Sequence, residues 1–287
     1  MPETVLRSLA RYHDVRAVVC PERSRTVRST LRPIAVRLGF RAPDPLQQAT
    51  RHLQIPLLSS SSGHDARLVD SLQRLDLDLI VIASFPFVLS KEIYDAARCG
   101  ALNLHTSLLP RHRGPLPMFW VYHEDDRETG VTVHRVTRRA DSGDILEQAR
   151  FDLPRGYPIQ QLYDRSSEEG ARLLVEVLSK IESGSVSGSP QEERSVTKAP
   201  RLTPGVSMVD FGNWPVERVW HFLKGLYPQF SEGLLAPNGQ PIAYSGVQGY
   251  DEERHAQPLG SVQPHADGWR LFCRDGSVLL DANRRSH

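Results

Sequence analysis

The 287-residue chain balances 35 Lys and Arg against 34 Asp and Glu, for a formal charge of +1, and 39% of its residues are apolar. That balance excludes any argument for nucleic-acid binding from global charge, and no apolar run approaches the roughly 18 residues needed to span a bilayer. The start lacks the charged-then-apolar order of a secretory signal, and Cys20, Cys99 and Cys273 have no metal-ligand spacing, so they read as buried free thiols in a reducing cytoplasm.

Apolar positions Val5, Leu6, Leu9 and Ala10 have helical spacing, which predicts a helix over 3–12. A β-branched run at 15–20 predicts a strand stopped by Pro21. Residues 22–51 hold seven arginines against two acids. They read either as a solvated face or as a loop that attracts phosphate, from RNA or a nucleotide-linked substrate. Helix is expected over 46–53, a short strand over 55–58, and a serine loop without evident chemistry over 59–62. The stripe Ala66, Val69, Leu72, Leu75 predicts an amphipathic helix over 65–75. Residues 77–84 form a nearly continuous apolar run, the pattern of a strand buried on both faces of a parallel sheet. Phe85-Pro-Phe87-Val88-Leu89 stops it, helix resumes over 91–98, and 101–105 is the next strand. Strand, helix, strand in this rhythm means an open α/β sheet, whose ligands bind at the carboxyl ends of the strands. Both the 85–89 loop and Asn103–His105 lie at such ends, so the two are expected to share one crevice.

Further on, helix is expected over 118–123, strand over 130–135, a turn at Asp141-Ser-Gly143-Asp, strand over 145–151 and a long amphipathic helix over 158–183. A Gly/Ser-rich stretch then begins a linker reaching about residue 204. A helix over 216–226 precedes short β runs at 233–235, 241–248, 260–263, 269–273 and 277–280, which predict a small, mostly antiparallel β domain. The expected division is therefore 1–184, a linker over 185–204, and 205–287.

Asn103 and His105 are two apart, so on an extended strand they point to one face. An amide donor, an imidazole and a distant carboxylate can together stabilise an oxyanion and move a proton. Each residue alone has a plain reading: Asn103 as a turn-former, His105 as a satisfied core histidine, Asp141 as a turn residue. The order of the motifs says more. Asn103-Leu-His105-Thr-Ser107-Leu-Leu-Pro110-(x)2-Arg113-Gly114, then Thr129-Gly130-Val-Thr, then Ala140-Asp141-Ser-Gly143, resembles the signature of 10-formyltetrahydrofolate-dependent formyltransferases. With lower density the likeness runs from about Val15 to Leu280. Val209-Asp210-Phe211 and Tyr227-Pro228 resemble the entry to the second domain of methionyl-tRNA formyltransferases and their amino-sugar relatives.

The resemblance implies a Rossmann-like α/β formyl-transfer domain followed by a small OB-like β-barrel. It puts the catalytic roles on Asn103, His105 and Asp141, with 10-formyltetrahydrofolate as co-substrate and no metal. Ser107, Leu108, Leu109 and Pro110 match the family's folate-contacting segment, and Phe85, Phe87, Val88 and Leu89 read either as apolar walls for the pterin or as core. Arg113-Gly114 would fix the loop or meet the acceptor. His134-Arg135-(x)3-Arg139-Ala140-Asp141 is similar to the nucleotide-linked amino-sugar enzymes. Residues 205–287 carry seven Lys/Arg and nine Asp/Glu, a poor surface for tRNA. A small or nucleotide-linked amine is therefore the expected acceptor, initiator methionyl-tRNA the alternative, and a folate- or partner-binding protein without turnover the non-enzyme alternative. No membrane partner is expected. One departure stands out. The family opens with a strand and a Gly-containing turn before its first helix, whereas this chain starts at the helix; strands flanking that central place are expected to lack backbone partners.

Overall fold

The computed structural model describes residues 1–22, 44–203, 208–230, 234–236, 238–266 and 268–282. Most of the arginine-rich 22–51 stretch lies outside the described residues. By contacts, the chain groups into two compact units, one comprising Met1–Pro110, Val131–Ala149 and Ser166–Val196, the other Arg111–Gly130, Arg150–Arg165 and Thr197–His287.

In the first unit, helix α1 (Pro2–Leu9) has Pro at its start, Glu3 in the first turn and Arg7 in the last, and buries Val5, Leu6 and Leu9. Strand β1 (Val18–Pro21) pairs in parallel with β2 (Leu57–Ser60). The serine run is thus not wholly a loop, since Ser59 and Ser60 close β2. Helices α2 (Pro45–His52) and α3 (Ala66–Gln73) are each capped by an aspartate: Asp44 accepts from the Leu46 amide and Asp65 from that of Arg67. Strand β3 (Ile80–Ala83) follows, then a single helical turn, α4 (Lys91–Tyr94), shorter than the expected 91–98. Strand β4 (Ala101–His105) lies parallel to β3. After helix α5 (Pro117–His123) come β5 (Glu128–Arg135), antiparallel to β4, and β6 (Ile145–Asp152), giving the sheet order β3-β4-β5-β6. Helix α6 (Ile159–Glu182) is the long amphipathic helix expected.

The alternation of β3 explains its continuous apolar run. Leu79, Val81 and Ala83 join a cluster built from α1, β4, β5 and the later turns of α6, while Ile80 and Ile82 join another with Leu68 and Leu72 of α3 and Ile93 of α4. Both faces of the sheet are covered. One edge is not continuous, however. Among the described residues β1 and β2 form a two-stranded sheet of their own, with no ladder to β3. Between β1 and β3 runs a cavity of about 710 Å³, lined by Val5 and Leu9, by Val19, and by Leu79, Val81 and Ile82. Among the described residues β1 has β2 as its ladder partner and β3 has β4.

The second unit has one apolar core, in which Met118, Phe119 and Tyr122 of α5 meet Val219, Phe222 and Leu226 of helix α7 (Val216–Leu226) and the strands of the C-terminal sheet. That sheet is antiparallel in the order β7-β10-β9-β8, from β7 (Tyr244–Asp251), β8 (Val262–His265), β9 (Gly268–Cys273) and β10 (Gly276–Ala282). Of the expected run at 233–235, residue 233 lies outside the described residues and Leu235 forms a bridge to Pro241. The antiparallel sheet is as expected, but the described strands do not close into a barrel. Within 185–203, Ser189 forms a bridge to Ile145 in the first unit and Lys198 a bridge to Arg113 in the second. The cysteines carry no disulfide, but only Cys273 is buried, whereas Cys99 is exposed. Its side chain lies on the surface after the last helical turn before β4, so the expectation of three buried thiols is corrected there.

Candidate active site

The site forms on β4 and β5 because both strands put alternate polar residues on one face. In their ladder Asn103 stands opposite His134 and His105 opposite Thr132. Cross-strand partners share a face, so two residues from each strand converge there. His105 is 6% and His134 2% exposed, which requires their ring nitrogens to find partners within the protein.

Asp141 reaches this face from the turn after β5. Its φ of 52° is in the left-handed region that non-glycine residues avoid. Two contacts hold the turn. The Gln191 side-chain amide donates to the carbonyls of Asp141 (2.9 Å) and Gly143 (2.7 Å). At Gly143 the chain runs so close to β5 that a Cβ would lie 1.9 Å from the Arg135 carbonyl oxygen, so no larger residue fits. The Asp141 carboxylate is then 3.3 Å from Asn103 Nδ2, 3.8 Å from His105 Nδ1 and 3.7 Å from His134 Nε2. Asn103, His105 and Asp141, expected as a group, are brought together.

The loop after β4 is pinned through one hydroxyl. Thr132 Oγ1 donates to the Ser107 carbonyl at 2.7 Å and accepts from the Leu109 amide and from Gln148 Nε2. Gln148 also donates to the Leu109 carbonyl at 2.9 Å. Ser107 and Leu109 are buried, while Leu108 and Pro110 are half-buried. The loop after β3 starts beside it, because Ala83 and Leu104 are register partners at the ends of parallel strands. Within that loop Phe85 and Phe87 meet edge to face at 5.5 Å, Leu89 is buried against α3 and α4, and Val88 is 56% exposed. Leu89 and Phe85 thus serve the core, while Val88 faces solvent.

Four further residues shape the site, of which His134 and Thr132 stand in the quoted motifs without having been placed in the cluster. For His134 and Thr132 the signal was present, since they repeat on β5 the two-residue spacing of Asn103 and His105. Gln148 and Gln191 gave none, because their partners are backbone groups distant in sequence.

Comparison with known proteins fits this geometry. The sequence profile described as formyl transferase matches residues 21–178. A methionyl-tRNA formyltransferase of Bacteroides fragilis is 31% identical over 245 residues, covering 82% of this chain and 74% of the relative. Among solved structures, the sugar 3N-formyl transferase WlaRD, studied with dTDP and 5-N-formyl-THF, aligns over 99% of this chain and 94% of its own, with a TM-score of 0.65 at 13% identity. The N-formyltransferase of Helicobacter canadensis, in complex with folinic acid and dTDP-3-aminofucose, aligns over 98% and 94% with a TM-score of 0.64 at 14% identity. At such identities the structural likeness speaks for the fold alone, but the profile covers more than half of the chain and includes every residue of the β4–β5 cluster. The chain belongs to the formyl transferase family.

Proposed function

We propose that the protein transfers a formyl group from 10-formyltetrahydrofolate to a primary amine, and that its acceptor is a small, nucleotide-linked amine of the amino-sugar type. The observation that carries the transfer chemistry is the convergence of Asn103, His105 and Asp141 on one face of β4 and β5. The amine nitrogen attacks the formyl carbon, and a tetrahedral oxyanion develops. Asn103 donates an amide N–H to that oxygen, and His105 donates a second hydrogen bond. Asp141 takes the proton that the amine loses, directly or through water. Collapse of the intermediate breaks the bond from the formyl carbon to folate N10, which leaves with a proton; the products are a formamide and tetrahydrofolate.

The folate pterin would lie against Ser107–Pro110, with Phe87 and Val88 as the apolar side, since backbone groups of a pinned loop suit a ring edge of alternating donors and acceptors. The reaction would take place in the cytoplasm; among the described residues no helix is long and apolar enough to cross a membrane.

For the acceptor, the acidic excess of 205–287 and the His134-Arg135 motif support the small amine. The 31% identity to a methionyl-tRNA formyltransferase favours a second reading, initiator methionyl-tRNA. A paired assay at near-physiological salt separates them, with dTDP-3-aminofucose and charged initiator tRNA as acceptors. The expected result is turnover of the nucleotide sugar with weak, nonspecific tRNA binding. Efficient formylation of the tRNA with no turnover of the amino sugar or of free small amines would overturn the preference.

A further inference from the structure

We propose that His134 is a positioning residue for the transfer reaction: its Nε2 accepts one amide N–H of Asn103 and thereby fixes which way that amide faces. This rests on the reading of Asn103 as the oxyanion donor. The argument starts at the other end of the ring. His134 Nδ1 lies 2.9 Å from the carbonyl oxygen of Arg135. A carbonyl only accepts, so Nδ1 carries the proton, and in the neutral ring Nε2 is a bare lone pair. That lone pair lies 3.1 Å from Asn103 Nδ2, directly across the ladder.

An asparagine amide has two faces of opposite polarity and little steric preference between them. Turned over, Asn103 would put its carbonyl oxygen against the His134 lone pair and also against the Asp141 carboxylate, which is 3.3 Å from the same atom. Both contacts would then repel. The surroundings therefore accept one orientation only, with the N–H side toward His134 and Asp141. Of the two protons on Nδ2, one is held by His134, and the other lies on a long contact to Asp141 from which a developing oxyanion can draw it. Oxyanion stabilisation works through donors that need no reorganisation when charge appears. An amide free to turn would present its oxygen to the oxyanion part of the time.

The prediction distinguishes this role from simple packing. His134→Phe keeps a buried ring without an acceptor, and His134→Gln offers an amide oxygen at similar reach. Single-turnover transfer from 10-formyltetrahydrofolate is measured with dTDP-3-aminofucose or charged initiator tRNA, whichever the unmutated protein turns over. His134→Phe is expected to lose about 10- to 100-fold in rate, as outer-shell substitutions do, with folate binding little changed and His134→Gln recovering much of the loss. In the Asn103→Ala background, His134→Phe should cost almost nothing further, since both changes remove one interaction. A His134→Phe rate within twofold of normal while Asn103→Ala is crippled overturns the proposal, as does full additivity of the two changes. Full turnover by Asn103→Ala would sink the reading of Asn103 itself. Nitrogen NMR of the unmutated protein supplies a test that needs no variant: the His134 ring should show its proton on Nδ1, toward the Arg135 carbonyl, with Nε2 accepting from Asn103, and a bare Nδ1 overturns the proposal.

Discussion

The second unit contains a buried histidine whose protonation should weaken the fold. His221 on α7 is fully enclosed, with the Tyr122 ring 5.1 Å away. Its Nδ1 accepts a hydrogen bond from the Gly156 amide at 2.8 Å. Its Nε2 has no hydrogen-bond partner among the described residues. Burial, with the neighbouring Arg155 guanidinium adding to it, holds the imidazole down at about 4, against an ordinary 6.5. Protonation would also set a second N–H against the Gly156 donor. The unfolded chain thus binds a proton that the folded chain refuses, so this contribution is complete above pH 6.5 and is lost as pH falls toward 4. The gap is worth roughly 3 kcal/mol at 1.36 kcal/mol per pH unit, of which about 2 kcal/mol is lost between pH 7 and pH 4.5. His221→Asn keeps an acceptor for Gly156 and removes the titration. Denaturant unfolding followed by tryptophan fluorescence suits the measurement, because Trp120, Trp214, Trp220 and Trp269 all lie in the unit that holds His221. Comparing the two proteins at both pH values cancels the carboxylates they share. The natural protein should lose about 2 kcal/mol more than the variant on acidification. Equal losses would refute the reasoning.

Two further outcomes test the site and the core. His105→Ala and Asp141→Asn should each reduce formyl transfer by on the order of 100-fold or more while tetrahydrofolate binding, followed by calorimetry, persists; near-normal turnover in a folded variant would remove that residue from the mechanism. Gly225→Ala should lower the unfolding midpoint of the second unit by about 1–3 kcal/mol in stability, because its Cβ would lie 2.2 Å from the buried Tyr122 ring; an unchanged midpoint would show that the ring moves freely.

The parts of this molecule legible in its sequence are those governed by periodicity. Asn103 and His105 declared a shared strand face through their spacing, and the apolar run around Ile80 declared a strand covered on both sides. What was hidden is pairing. Nothing in the run 129–135 says that His134 will stand opposite Asn103, because register is set by strands meeting in three dimensions. Gln191 was hidden for a related reason. It lies in a Gly/Ser-rich stretch that reads as a linker, and its amide binds two backbone carbonyls about fifty residues away, which have no sequence signature. Leu89 shows two readings that composition leaves open. Its place in an apolar loop fitted a ligand wall, but its burial against α3 and α4 answers a packing need that composition cannot tell from binding.

The missing ladder between β1 and β3 bears on how the first unit opens. In a continuous sheet, prising two strands apart breaks a row of hydrogen bonds at once, and the sheet behaves as one cooperative block. Among the described residues that seam carries no such row, and the cavity lies along it. Separating the β1–β2 pair from the β3–β6 sheet would break no backbone ladder among the described residues, the condition under which two parts of one layer open as separate foldons. Only β3 stands between that seam and the strand bearing Asn103 and His105. The stiffness of the catalytic face is accordingly set by how firmly α1 and α6 on one side, and α3 and α4 on the other, clamp a single strand.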